Sequence, residues 1–254
     1  VVLSFRMVVL YNTVVLSNDD FSAMHFDLIT IFPKIFTSYM DESIMKRAQH
    51  SGAIAIAVHN LRDFTTDRHR TVDDTPYGGG AGMVLKIEPI FRCVTAVKKN
   101  KPLLSGREKQ KSKTRTILFS AKGKRLTQQD VQRFAHYERL ILICGRYEGV
   151  DERVAEHVAD EEISIGDFVI TGGELAAMIV VDAVTRILPG VVGNPESIVE
   201  ESHRIEGYCE YPQYTKPEEF HAWRVPDVLF GGNHEAIARW RRSQAQSEDT
   251  TTDA

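Results

Sequence analysis

Cysteine is scarce. The 254 residues hold only Cys93, Cys144 and Cys209, far apart and at no metal-ligand spacing. That argues against a disulfide framework or a zinc site and fits a reducing, cytoplasmic setting. A large charge of one sign is lacking too: the net charge is -4, which by itself calls for no polyanionic partner. No apolar run is long enough to span a bilayer. The most apolar stretch, Val1 to Ser17, is short and broken by Arg6 and Asn12. It also lacks the unbroken core of a secretory leader, and Asn18 to Ala23 poorly matches a small-residue cleavage site. The phosphate motifs are missing as well. There is no G-x-x-x-x-G-K-[ST], and Gly78 to Gly82 follow a long polar loop where a dinucleotide fingerprint would follow a strand.

Two glycine loops are present. Cys144-Gly145-Arg146-Tyr147-Glu148-Gly149 follows the apolar run Leu140 to Ile143, and Ile165-Gly166-Asp167-Phe168-Val169-Ile170-Thr171-Gly172-Gly173-Glu174 contains the run Phe168 to Ile170. Glycine at a strand end lets main chain approach a flat ligand where a Cβ would collide. Basic residues cluster from Lys98 to Arg125 and again at Arg239, Arg241 and Arg242. Either cluster is read as a solvated surface or as one facing a polyanion.

The chain from Met24 alternates strand and helix signals. Strands are expected at Phe26 to Ile31, Ala53 to Val58, Thr116 to Ser120, Leu140 to Ile143 and Phe168 to Thr171. Helices are expected from Pro33, at Ile44 to His50, at Pro89 to Lys99, from a Thr127 cap to Phe134, from an Asp151 cap to Val158, and at Glu174 to Arg186. Leu61 to Gly82 shows no periodicity, and Asn233 caps a last basic helix from Glu235 to Arg242. Such alternation implies an α/β fold with a parallel sheet covered on both faces. A glycine slot without a phosphate cradle suits a nucleoside cofactor that carries no phosphates, such as S-adenosyl-L-methionine, whose sulfonium favours nearby carboxylates.

Several long motifs carry a resemblance. Asp63-Phe64, Asp67 through Asp74, Pro76-Tyr77-Gly78-Gly79-Gly80, Gly82-Met83, the run from Cys144 through Arg153, the run from Ile165 through Leu175, Tyr211-Pro212 and Tyr214-Thr215 are similar to those of the bacterial tRNA (guanine-N1)-methyltransferases, members of the SPOUT superfamily. The resemblance covers about Met24 to Arg242. It implies a deep C-terminal trefoil knot, a small helical C-terminal domain, an obligate homodimer, and methylation of N1 of the guanine at tRNA position 37. It also implies a magnesium ion during catalysis, for which no ligand is assigned.

On this resemblance Ser120, Gly145, Tyr147, Glu148, Ile165, Gly166, Asp167, Phe168, Val169, Ile170, Gly172 and Gly173 line the cofactor slot. His69, Asp73 and Gly82 receive the target guanine, and Arg186 matches the arginine at the methyl acceptor. The family base is an aspartate before a serine; counted from Gly190-Val191-Val192-Gly193 that position is Glu201, ahead of Ser202, with Glu200 adjacent. The domain reading is an extension over 1–23 outside the fold, a cofactor-binding domain over 24–190, a linker over 191–207, a shortened helical tRNA-binding domain over 208–245 and a disordered tail over 246–254. Two other readings stay open: a SPOUT enzyme acting on another RNA base, and a cofactor-binding RNA-binding module that has lost catalysis through the Asp-to-Glu change.

Overall fold

The computed structural model describes residues 23–100, 113–193, 201–203 and 207–247. The expected extension up to residue 22, the middle of the basic stretch, Glu200, most of the linker and the tail after residue 247 lie outside the described residues. The chain divides into two compact units between Gly193 and Asn194.

The first unit runs β1 (Met24–Thr30), a 3-10 turn (Pro33–Phe36), α1 (Thr37–Met40), α2 (Ser43–His50), β2 (Ile54–Asn60), a second 3-10 turn (Leu61–Phe64), β3 (Asp73–Asp74), β4 (Val84–Leu85), α3 (Ile87–Lys99), β5 (Thr114–Arg125), α4 (Gln128–Phe134), β6 (Arg139–Cys144), α5 (Glu152–His157), β7 (Glu161–Ser164) and α6 (Glu174–Ile187). Five strands form one sheet in the order β2-β1-β6-β5-β7, every pairing parallel. The short β3 and β4 form a separate antiparallel pair.

Both faces of the sheet are covered, as the alternation predicts. Successive strand side chains point to opposite faces. Phe26, Leu28, Leu140 and Leu142 therefore pack with Phe134, Val180 and Val184 of α4 and α6. Ile29, Ile141 and Ile143 pack on the other face with Ile90, Val94 and Val154 of α3 and α5. Every residue of β6 is buried, which explains its continuous apolar run at the sheet centre. Local signals set the helix ends. Thr127 and Asp130 form a reciprocal capping box at α4, and the Asp151 carboxylate accepts from the Arg153 amide at 3.1 Å at the start of α5.

The last strand differs from expectation. Phe168 to Thr171 form no strand. Phe168 and Val169 are 57% and 85% exposed, and glycines at 166 and 172 bound a loop. The strand is β7, Glu161–Ser164, whose two glutamates hide the pattern. It pairs with β5 alone in the sheet order, so it is an edge strand and can keep carboxylates at its rim. Glu161 there meets Arg115 at 2.6 Å and Arg133 at 2.8 Å. β5 also runs past the expected Ser120. Its register against β7 shifts between Phe119 and Lys124, and a Cβ on Gly123 would stand 2.6 Å from the Ile163 amide nitrogen.

In the second unit, β8 (Tyr208–Cys209) pairs with β11 (Gln246–Ser247), and β9 (Glu219–Phe220) pairs with β10 (Trp223–Arg224). A 3-10 turn (Asp227–Leu229) precedes α7 (His234–Gln244), capped by Asn233 Oδ1 accepting from the Ala236 amide at 3.1 Å. Tyr214 lies against Trp240, and the Arg241 guanidinium sits over the Tyr211 ring at 4.8 Å. The described part of this unit thus holds one α-helix, with short strand pairs that the sequence reading did not foresee.

Candidate active site

All strands of the sheet are parallel, so their carboxyl ends lie on one side. The loop after β6 (145–150), the loop after β7 (165–173), the irregular stretch of β5 after Phe119 that holds Ser120, and Thr30 at the end of β1 all lie on that side. The two glycine loops meet there. Arg146 and Gly172 form an isolated antiparallel bridge, and the Gly173 amide donates to the Gly145 carbonyl at 2.8 Å. The approach is close because no Cβ intervenes. A Cβ on Gly173 would stand 2.8 Å from Cys144 Cα, and one on Gly172 would run into the Arg146 side chain.

The expected slot residues gather at these loops. Gly145 and Gly166 are half-buried; Tyr147, Glu148, Asp167, Phe168 and Val169 are exposed; Ile165 packs on the core below. Tyr147 adopts φ 62°, a left-handed conformation that a non-glycine residue holds only when its surroundings enforce it. Ser120 Oγ accepts from the Lys122 amide at 3.2 Å, and Asp167 takes a hydrogen bond from Arg125 at 3.0 Å, so β5 reaches the second loop. Cys144 is fully buried, and burial pushes its thiol well above the ordinary range, so it is no nucleophile.

The polar loop before α3 docks on the first glycine loop. The Glu148 amide donates to the Met83 carbonyl and the Leu85 amide to the Gly149 carbonyl, each at 3.0 Å. Gly82 lies against Glu148: a Cβ there would collide with the glutamate side chain. Asp73 pairs with Leu85, and Leu85 bridges to Val150, so Asp73 is one strand away from the same loop. His69 is exposed in the preceding turn, where Thr71 Oγ1 donates to Asp67 at 2.8 Å. The Thr71 bonds, backbone first, hold the Asp67 carboxyl below the usual range.

Two expected residues belong to other elements. Arg186 is in the last turn of α6, twelve residues beyond Glu174, or roughly 18 Å along the helix at 1.5 Å per residue. Glu201 belongs to the second unit, half-buried, with Ser202 accepting from the Glu210 amide at 3.0 Å. Among the described residues no group of three or more His, Cys, Asp or Glu could hold a metal. No helix of the described residues is long and apolar enough to cross a membrane.

Three residues that knit the loops, Thr30, Arg146 and Glu174, received no role in the sequence reading, although the last two stand in its glycine motifs. Glu174 opens α6 yet is fully buried. Its carboxylate accepts from Thr30 Oγ1 at 2.7 Å and from Arg146 Nε at 2.8 Å. A signal existed: a glutamate beginning an otherwise apolar buried helix needs a partner, and Arg146 is the single cation of the first glycine loop.

A parallel α/β sheet covered on both faces, with two glycine loops joined beyond the carboxyl ends of its strands, defines the class: an α/β fold of the kind that places ligand sites at that edge. The family profile tRNA (Guanine-1)-methyltransferase TrmD matches residues 24–253. A tRNA (guanine-N(1)-)-methyltransferase of Geobacter sulfurreducens is 50% identical over 222 residues, covering 87% of this chain and 86% of that protein. The enzyme of the same name from Chloroflexus aurantiacus is 53% identical over 221 residues, covering 87% and 83%. The crystal structure of the tRNA (m1G37) methyltransferase from Aquifex aeolicus superposes with a TM-score of 0.69 at 38% identity, covering 86% of this chain and 87% of that one. The chain belongs to the tRNA (guanine-1)-methyltransferase family, within the SPOUT methyltransferases.

Proposed function

We propose that this chain transfers a methyl group from S-adenosyl-L-methionine to N1 of the guanine at tRNA position 37, at a site completed by a second copy of the chain. The observation that carries the reading is the union of the two glycine loops, with Gly82 and Glu148 in contact at their edge. The residues fit the cofactor. The exposed Tyr147 and Phe168 rings flank the joined glycine loops, with the Phe168 ring against Gly166 and the Arg146 side chain against Gly172, and the Glu148 carboxylate suits a sulfonium. S-adenosyl-L-methionine, when bound, would supply an electrophilic methyl group, its carbon–sulfur bond breaking with release of the neutral thioether S-adenosylhomocysteine.

The chain's own residues manage the guanine. N1 carries a proton at neutral pH, so its lone pair is not free. Glu201 accepts that proton as the bond from N1 to the methyl carbon forms. Negative charge grows on O6, where Arg186 donates hydrogen bonds in the manner of an oxyanion stabiliser. His69, Asp73 and Gly82 receive the base beside Glu148. The family resemblance implies magnesium, but no cluster of His, Cys, Asp or Glu fits it among the described residues.

Distance and surface support assembly as a homodimer. Arg186 stands roughly 18 Å along α6 from the slot end of the same helix, too far to reach a methyl group held there. On α6, Leu175 and Ile179 are 53% and 45% exposed and one turn apart. An apolar face of this kind fits a second copy of itself. The deep trefoil knot belongs to the same reading; the lie of residues 165–173 against residues 144–150 supports it. The second unit is read as the tRNA-binding domain, with the exposed Arg239, Arg241 and Arg242 of α7 as candidate phosphate contacts. The free cysteines suit a reducing cytoplasm.

The test is a single-turnover assay on a tRNA transcript with the methylated nucleoside mapped. N1-methylguanosine at position 37 is expected. Methyl transfer to another base would select a different SPOUT specificity, and cofactor binding without transfer would select a non-catalytic RNA-binding module.

A further inference from the structure

We infer that Glu174, held by Thr30 and Arg146, is a positioning residue that sets how tightly the slot binds its cofactor; the inference rests on the cofactor reading above. Glu174 is fully buried at the start of α6, whose neighbouring buried residues are Ala176, Ala177 and Val180. A carboxylate there is costly unless both oxygens are partnered. One oxygen accepts from Thr30 Oγ1 at 2.7 Å and the other from Arg146 Nε at 2.8 Å. The same guanidinium donates through NH1 to the Thr171 carbonyl at 3.2 Å and lies 4.9 Å from the Phe32 ring centre. Thr30 Oγ1 in turn accepts from the Phe32 amide at 2.9 Å.

One buried anion therefore ties three chain segments: the end of β1, the loop after β6 and the loop before α6. The last two are the walls of the slot. An apolar pair of similar volume would pack as well, because buried ion pairs rarely exceed the stability of hydrophobic replacements. What the charged set adds is direction. The planar guanidinium faces Glu174 and Thr171 at once and fixes the spacing of the loops. A Cβ at Gly172 would strike that guanidinium, so the glycine and the arginine are fitted to each other. None of the three side chains needs to touch reacting atoms, so their loss should weaken cofactor binding more than turnover.

The test uses the full chain with tRNA and S-adenosylhomocysteine as calorimetric probe. The double variant Arg146→Met, Glu174→Gln removes both charges and leaves no unpaired ion. It should bind the probe at least about tenfold more weakly, the value of one charge-assisted hydrogen bond. The KM for the methyl donor should rise in step, with kcat at saturation within about twofold of normal. Arg146→Lys keeps a cation but not the fork and should fall between. Thr30→Val removes the hydroxyl and with it two hydrogen bonds, the one to Glu174 and the one from the Phe32 amide, keeps both charges, and serves if the double variant does not fold; it should weaken binding several-fold. Unchanged probe affinity in a folded double variant, or in Thr30→Val, would overturn the inference while leaving the cofactor reading intact. A normal chain that binds no probe would overturn both.

Discussion

Glutamate at position 201 sets the reach of the proposed base. Its carboxylate extends one methylene further than the aspartate that the family resemblance places there, so the backbone must stand back by a bond's length to deliver the same oxygen to N1. Glu201→Gln should lower single-turnover methyl transfer by about 100- to 10,000-fold, the usual loss for a general base, with cofactor affinity near normal. Glu201→Asp should keep much of the rate. Near-full activity of the glutamine variant at neutral pH would move the base elsewhere. The slot has its own residue-scale test. Gly172→Val must displace Arg146, so calorimetry should show a large loss of cofactor affinity; unchanged affinity would misplace the slot. At this scale the sequence was legible where a motif is local. Gly145, Gly172 and Gly173 meet as two glycine loops should, whereas the partnership of Thr30 with Glu174 spans 144 positions and has no local signature.

Helix α6 is the element on which the proposal turns. Its inward face is plain in the sequence and packs on β1 and β6 through Ala177, Val180, Val181 and Val184. Its outward face keeps Leu175 and Ile179 half exposed, with Asp182 accepting from Tyr39 at 3.1 Å further along. Burial of each aliphatic side chain against a partner would contribute on the order of 1 kcal/mol or more. Replacing both with glutamate should turn the dimer into a monomer by light scattering and abolish methyl transfer. Thermal stability of the single chain should change little, because neither residue is in its core. A dimer that survives the change would place the interface elsewhere. The elements that sequence reading missed fail for a physical reason. In β7, Glu161 and Glu162 belong to an edge and mask the strand, while exposed Phe168 and Val169 imitate one in a loop. Apolarity in that loop belongs to a surface, which no reading of periodicity distinguishes from a buried strand.

For the whole molecule, the central claim is that each reaction centre draws residues from two chains. The proposed slot lies at the carboxyl side of one sheet, Arg186 is at the far end of α6, and Glu201, the proposed base, belongs to the second unit. The most direct measurement is complementation. Neither Arg186→Ala nor Gly172→Val chains should methylate tRNA alone, the first for want of the guanidinium and the second for want of the slot. Mixed and allowed to exchange, half of the dimers carry one of each, and each such dimer has one slot intact facing one intact Arg186. The account predicts recovery of up to about a quarter of normal activity for random pairing in a two-fold dimer. A mixture that exchanges subunits yet stays inactive would contradict it, because Arg186 and the slot would then have to act within one chain.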